Sequence, residues 1–260
     1  MIAYGKEEYF FSGSQVVGLG LSWTPEELDM ALIGPVAETV FDESGTNDIN
    51  TLLEGLAETE FDYESIQRVL NYTDEPEDWR VGEALAELFL VDHRRCEFPW
   101  PDGRDEKKSN SSLPGADLVG FIVDNGIIRF AFGEVKTSTD SNYPPGSMYG
   151  RTGLKQQLND LRDKVRIRDD LVKYLGYRAV NASWKRQYKQ AVKRYISINS
   201  DVRVFGVLIR DVPPNNNDIR VRVESLRINC PTPMFIELIA IYLPTGSIAT
   251  LSNRVVDSRK

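Results

Sequence analysis

An Asn-Gly pair at 125–126 lies between two strand-like runs, Ala116–Asp124 and Ile127–Lys136. Asn-Gly is the strongest short-range hairpin signal, because a two-residue type I′ turn needs positive φ at both central positions. Such a turn pairs Asp124 with Ile127, and every later pair keeps the same residue-number total, 251. That register sets Asp117 opposite Glu134, with Cβ atoms about 4.5–5.5 Å apart, a separation at which like charges destabilise a sheet. Lys136, two residues beyond Glu134, projects from the same face. A divalent cation held by oxygen ligands gives two carboxylates reason to meet there. The spacing therefore predicts that Asp117 and Glu134 approach closely enough to share one. A bulge between them would reverse the facing.

The sole histidine, His93, and two distant cysteines, Cys96 and Cys230, leave little material for other chemistries. A Ser-His-Asp triad would need His93 itself, which sits beside Asp92, Arg94 and Arg95 and reads as a solvated surface residue. Without CxxC spacing, a zinc site or a disulfide framework is not expected. No apolar run is long enough to span a bilayer, and the first residues lack the pattern of a secretory signal. A cytoplasmic location is the expectation.

The net charge of −8 argues against nucleic acid only until its distribution is read. Residues 1–100 carry 22 acidic and 5 basic side chains; residues 151–200 carry 13 basic and 4 acidic. A local surplus of +9 is what phosphate binding requires, and a solvated helix pair is the bland alternative. Arg151, Lys155, Gln157, Lys185, Arg186 and Lys189 are the candidate nucleic-acid contacts.

Two domains are expected: an acidic, mainly helical N-terminal lobe over 1–78, and an α/β (α+β) domain over 79–260 with a mixed sheet and flanking helices. Thr24-Pro25-Glu26-Glu27 reads as a capping box opening a helix. Further helices are predicted over 50–56 and 63–70. The segment 79–91 is apolar nearly all round and reads as a buried helix, on which Glu83 needs a partner. Residues 97–114 and 138–150 read as loops, the second leaving directly from the carboxylate pair. A helix from about Thr152, a possible continuation over 169–175 and a basic helix over 184–195 follow. Strands are predicted over 202–209, 219–226 and 235–243.

A helix with glutamate (Glu83), a strand with aspartate (Gly115-Ala-Asp117), a strand with Glu134-Val-Lys136, then helix and strand resembles the PD-(D/E)xK nuclease superfamily across roughly residues 79–209. Gly115-Ala-Asp117 lacks the proline that often precedes this aspartate. More narrowly, the order Gly82-Glu83, Gly-Ala-Asp and Gly-Glu-Val-Lys is similar to the HamA family, nuclease-like subunits of Hachiman anti-phage systems. The superfamily resemblance implies a restriction-endonuclease-like core that hydrolyses phosphodiesters, with DNA the expected substrate. It also implies Mg²⁺, or Mn²⁺ in its place, held by Asp117 and Glu134 with Glu83 or the Val135 carbonyl. Lys136 would orient the attacking water or stabilise the transition state. The narrower resemblance implies a helicase partner of the HamB kind. A catalytically silent binding or regulatory subunit on a nuclease fold is the alternative.

Overall fold

The computed structural model describes residues 1–259 except 54, 57–58, 71–74 and 106–114. In chain order the strands are β1 (Lys6–Phe11), β2 (Val16–Ser22), β3 (Cys96–Glu97), β4 (Leu118–Asp124), β5 (Ile127–Ser138), β6 (Val202–Arg210) and β7 (Phe235–Tyr242). The helices are α1 (Pro25–Ala31), α2 (Ala37–Val40), α3 (Glu43–Leu53), α4 (Glu60–Leu70), α5 (Asp78–Arg94), α6 (Leu154–Asp163), α7 (Val165–Ala179), α8 (Lys185–Ser197), α9 (Arg220–Arg227) and α10 (Leu251–Asp257).

The strands make one mixed sheet in the order β1-β2-β7-β6-β5-β4-β3. The four inner strands β2, β7, β6 and β5 run parallel, and antiparallel strands flank them on both sides. Parallel strands need both faces covered and read as near-continuous apolar runs. Val202–Arg210 and Phe235–Tyr242 are such runs. One face carries α1, α5 and α10 over Leu19, Leu21, Val135, Val207 and Ile239. The other carries α6 to α9 over Phe121, Phe130, Phe132, Val204 and Leu238. The result is an α/β fold with helices on both sides of the sheet. No helix among the described residues is long and apolar enough to cross a membrane.

The hairpin register holds. Asp124 pairs with Ile127 and Leu118 with Gly133, without a bulge. Asn125 and Gly126 have φ of 50° and 76°, as a type I′ turn requires. The Thr24 capping box is present, with Thr24 and Glu27 bonding each other's backbone N–H.

Three expectations need correction. Residues 1–78 are not mainly helical throughout, since β1 and β2 join the central sheet and the helical part begins at Pro25. The run Val16–Ser22 lies between β1 and β7, which buries most of it. The segment 219–226 is not a strand: α9 (Arg220–Arg227) occupies it from Arg220 on. Ile219, Val223 and Leu226 are buried at helical spacing, whereas Val221, which an alternating strand would bury with Val223, is 59% exposed. β6 and β7 are also parallel neighbours, and parallel strands need a crossover rather than a hairpin. Finally, His93 is half-buried rather than solvated. Its Nε2 lies 3.1 Å from the Ile2 carbonyl oxygen, and its ring packs against Tyr4 and Phe89.

Candidate active site

The C-terminal end of β5 holds the candidate residues where the two helical layers meet. Asp117 sits one residue before β4, off the end of the ladder, and its Oδ2 accepts the Val135 N–H at 2.7 Å. Glu134 is 2% exposed and lies beside Gly206 of β6. Leu158 of α6 packs over Gly206, so this buried carboxyl looks out past an apolar side chain. Lys136 Nζ stands 3.7 Å from Asp117 Oδ2 and 3.8 Å from Glu134 Oε2. Lys136 is therefore within ion-pair reach of both carboxylates, although the strand ladder itself ends at Leu118–Gly133.

Glu83 reaches the same region from the other face of the sheet. Its neighbour Gly82 has no side chain, and a Cβ there would overlap Thr137 Oγ1. α5 can thus lie directly on β5 one residue past Lys136, which carries Glu83 to the flank of Asp117. Arg80, one turn earlier on α5, is 3.7 Å from Glu83. A cavity of about 530 Å³ opens here, lined by Arg80, Glu83, Glu87, Asp102, Asp117 and Asp42 among others. Glu83 and Glu87 both line this cavity. Arg80, Glu83 and Glu87 recur at i, i+3 and i+7, the one sequence signal for a shared face. Asp102, in the short turn 102–105, gave no signal. Tyr174 anchors this turn, its hydroxyl lying 2.6 Å from Asp105 Oδ2 and 3.1 Å from Asp102 Oδ1.

Burial and mutual repulsion raise these acids above the ordinary carboxylate range. Burial, then the Asp117 charge, pushes Glu83 up to about 8, against the pull of Arg80. Burial pushes Glu87 up to about 7 and Asp102 up to about 7. Glu134 is raised well above the ordinary glutamate value, first by burial and then by Asp117.

Among the described residues, no group of three or more His, Cys, Asp or Glu side chains is assembled to hold a metal ion. Glu83 therefore does not complete a three-carboxylate set with Asp117 and Glu134 in this conformation. The pair alone still fits a hard cation. Glu134 Oε2 is buried without a hydrogen-bond partner, an uncommon condition that costs free energy. Mg²⁺ is commonly held by one or two carboxylates, with water and substrate phosphate supplying the other ligands.

The nucleic-acid candidates divide. Lys185, Arg186 and Lys189 are exposed on α8, although Lys185 Nζ also donates to the Val180 carbonyl. Arg151 is exposed in the turn before α6, and Lys155 is half-buried on α6. Gln157 is on α6, which packs against β5 and β6, and its Oε1 is buried without a partner. Part of the basic surplus is structural, since Arg178 pairs with Asp105 and Arg194 with Asp201.

The raised acids make a pH prediction. A carboxyl whose pKa is higher folded than unfolded binds its proton more tightly in the folded chain. Stability then falls as pH rises between the two values, here from about 4.5 to about 8 for Glu83. In metal-free buffer the melting temperature should decline over that window, and Glu83→Gln should flatten the decline. Added Mg²⁺ should recover most of it at the alkaline end, because ligand carboxylates must be deprotonated. Melting curves in chelator and in Mg²⁺ across the range check this; an unaltered slope in Glu83→Gln would refute it.

No protein-family model matches the sequence, and no curated protein matches it.

Proposed function

We propose that the chain is a metal-dependent nuclease of the PD-(D/E)xK kind, with DNA as substrate. The observation that supports this most is that Lys136 lies within 4 Å of both Asp117 and Glu134 at the end of one hairpin. The Glu134 Oε2 there is buried without a hydrogen-bond partner. The mixed sheet, with the helix bearing Glu83 on one face and α6 on the other, is compatible with a restriction-endonuclease-like core. In this reading Asp117 and Glu134 would hold Mg²⁺, which when bound would supply Lewis-acid chemistry for hydrolysis of the phosphodiester. Asp117 is kept in place by the Val135 N–H. Lys136 directs its ammonium at the attacked phosphate and balances the two carboxylates while the site is empty of substrate. Glu83, close to Asp117 but protonated near neutrality, adds negative charge only at higher pH.

Cleavage of linear, circular and single-stranded DNA, measured with and without Mg²⁺, tests the reading. It should be run with and without a co-encoded helicase, since the resemblance to HamA subunits implies such a partner and a role in anti-phage defence. Metal-dependent cutting that Glu134→Ala abolishes supports it. One observation favours a second reading, a catalytically silent subunit: the lack of a preformed three-carboxylate group among the described residues. Titration separates the two, because a silent fold should show neither heat nor a melting shift on addition of Mg²⁺ or Mn²⁺.

Nucleic acid in this reading lies against α8. Lys185→Glu, Arg186→Glu and Lys189→Glu combined should weaken binding uniformly across unrelated sequences. If each cation contacts one phosphate, the slope of log K against log salt should shrink by about 2–3. Unchanged affinity and slope would return α8 to a solvated helix.

A further inference from the structure

Burying an arginine is costly unless its guanidinium meets an acid or several carbonyls. Three arginines are buried among the described residues: Arg168, Arg210 and Arg222. Arg168 of α7 donates to the Leu161 and Arg162 carbonyls in the last turn of α6. Arg210 donates to the Asp140 and Asn142 carbonyls and lies 3.8 Å from Asp218. Arg222, 7% exposed, has neither kind of partner among the described residues. Its hydrogen bond is a long one, 3.4 Å from Nη1 to the Ser225 hydroxyl, and its Nε is buried without any. Ile219, Val223 and Leu226 form the buried stripe of α9, and Arg222 stands in that stripe, three residues after Ile219 and four before Leu226. An apolar side chain would pack there without electrostatic cost. The charge that Arg222 does meet has the same sign. Arg162 of α6 donates from Nη1 to the Ser225 carbonyl at 3.3 Å, so both guanidinium groups converge on Ser225. Arg162 is itself satisfied, by Asp163 and by the Leu226 and Ile228 carbonyls. Burial lowers the Arg222 pKa; Tyr149, 53% exposed in the loop between β5 and α6, opposes this, and Arg162 adds to it.

We propose that Arg222 is the floor of an oxyanion site that takes a phosphate group entering beside Tyr149. A guanidinium presents its N–H groups as a planar fork that matches phosphate oxygens, and the bonds it makes to them are charge-assisted. A phosphate would engage the unpartnered Nε and neutralise the buried charge. Arg162, with its donors already used, would add field rather than contacts. A metal cation or an uncharged ligand would leave Arg222 as it stands. The phosphate group belongs either to the backbone of a bound strand or to a free phosphate compound, which present the same oxygens. The site does not rest on the nuclease reading, because phosphate binding is measured without cleavage.

Calorimetric titration of the full chain with inorganic phosphate, in chelator and against chloride at equal ionic strength, tests it. The parent should bind phosphate saturably, and its melting temperature should rise with occupancy. Arg222→Met should weaken phosphate binding by about tenfold or more, the loss that follows removal of a charge-assisted hydrogen bond. In chloride this variant should melt no lower than the parent, since an unpaired buried charge gives way to an apolar chain. Arg222→Lys keeps the charge without the fork and should bind with intermediate affinity, a second comparison in a variant that preserves the native charge. Binding of a short DNA oligonucleotide separates the two sources. For a backbone phosphate, inorganic phosphate should compete with the oligonucleotide, and Arg222→Met should reduce the slope of log K against log salt by about 0.7–0.9. For a free compound that slope should stay unchanged while phosphate binding still depends on Arg222. Absence of saturable phosphate binding, or binding that Arg222→Met leaves intact, would overturn the proposal. A melting temperature for Arg222→Met well below the parent's in chloride would equally overturn it, since the side chain would then be held by the protein alone.

Discussion

Glu134→Ala and Lys136→Ala are expected to fold normally and to lose metal-dependent cleavage. Lys136 is the only cation within 4 Å of both Asp117 and Glu134 among the ion pairs of the described residues. Removing positive charge beside an attacked phosphate belongs to a class of change that raises the barrier by about 2.7–4 kcal/mol, a factor of 10²–10³ in rate. Removing Glu134 deletes one of two proposed metal ligands, so its loss should be at least as large. Stability should respond differently in the two variants. Glu134→Ala removes a carboxyl whose ionised form is disfavoured first by burial and then by the Asp117 charge. Its metal-free melting temperature should be equal to the parent's or higher at alkaline pH, and the increment from Mg²⁺ should shrink. Lys136→Ala leaves Asp117 and Glu134 without their shared cation and should be somewhat less stable above neutrality. Single-turnover cleavage and paired melting curves measure all of this. A Glu134→Ala protein that cuts at the parental rate would end the nuclease reading of this site.

The pair was legible because the side-chain period of a strand is two and the turn length fixes the register. Asn125-Gly126 states both, so Asp117, Glu134 and Lys136 follow without knowledge of the remaining fold. α1 was equally open, since Thr24, Pro25 and Glu27 specify a helix start by local hydrogen bonds. What failed was non-local. Residues 219–226 alternate well enough to pass as a strand, and only the parallel pairing of β6 with β7 demands a helix between them. Val16–Ser22 became a sheet strand because β7, more than 200 residues later, offers it a parallel edge. The cavity beside Asp117 had the same character. Arg80, Glu83 and Glu87 share a helical face that spacing reveals, but Asp102 arrives from an irregular turn whose position depends on Tyr174, 72 residues away. Electrostatic neighbourhoods assembled from several elements leave no periodic trace in a chain.

Phe130→Ala should cost about 3–5 kcal/mol of stability, the range for removing a buried aromatic ring from a core. Phe130 is fully buried on β5 and contacts Phe121, Phe132, Tyr188 and Tyr195. It thus ties the hairpin that carries the candidate site to the basic helix α8. Its ring stacks on Phe132 at 6.1 Å and meets Tyr195 edge-on at 5.9 Å, arrangements that add to simple burial. Tyr188 and Tyr195 cannot follow a truncated side chain inward without breaking bonds of their own. The Tyr188 hydroxyl donates to the Val172 carbonyl and that of Tyr195 to Asp169. The space should therefore remain largely unfilled, which places the cost toward the upper end. Denaturant unfolding gives the change directly, with the midpoint falling and the slope unchanged if only stability is affected. The site should survive in the folded fraction, because Asp117, Glu134 and Lys136 are held by the Val135 N–H, Gly206 and one another. Chemistry and stability should then separate cleanly: Glu134→Ala loses cleavage and keeps its fold, whereas Phe130→Ala loses stability and, below its melting transition, keeps metal-dependent cleavage. A cost below about 1 kcal/mol for Phe130→Ala would mean that the ring cluster relaxes around the gap and that α8 is not fixed to the hairpin in this way.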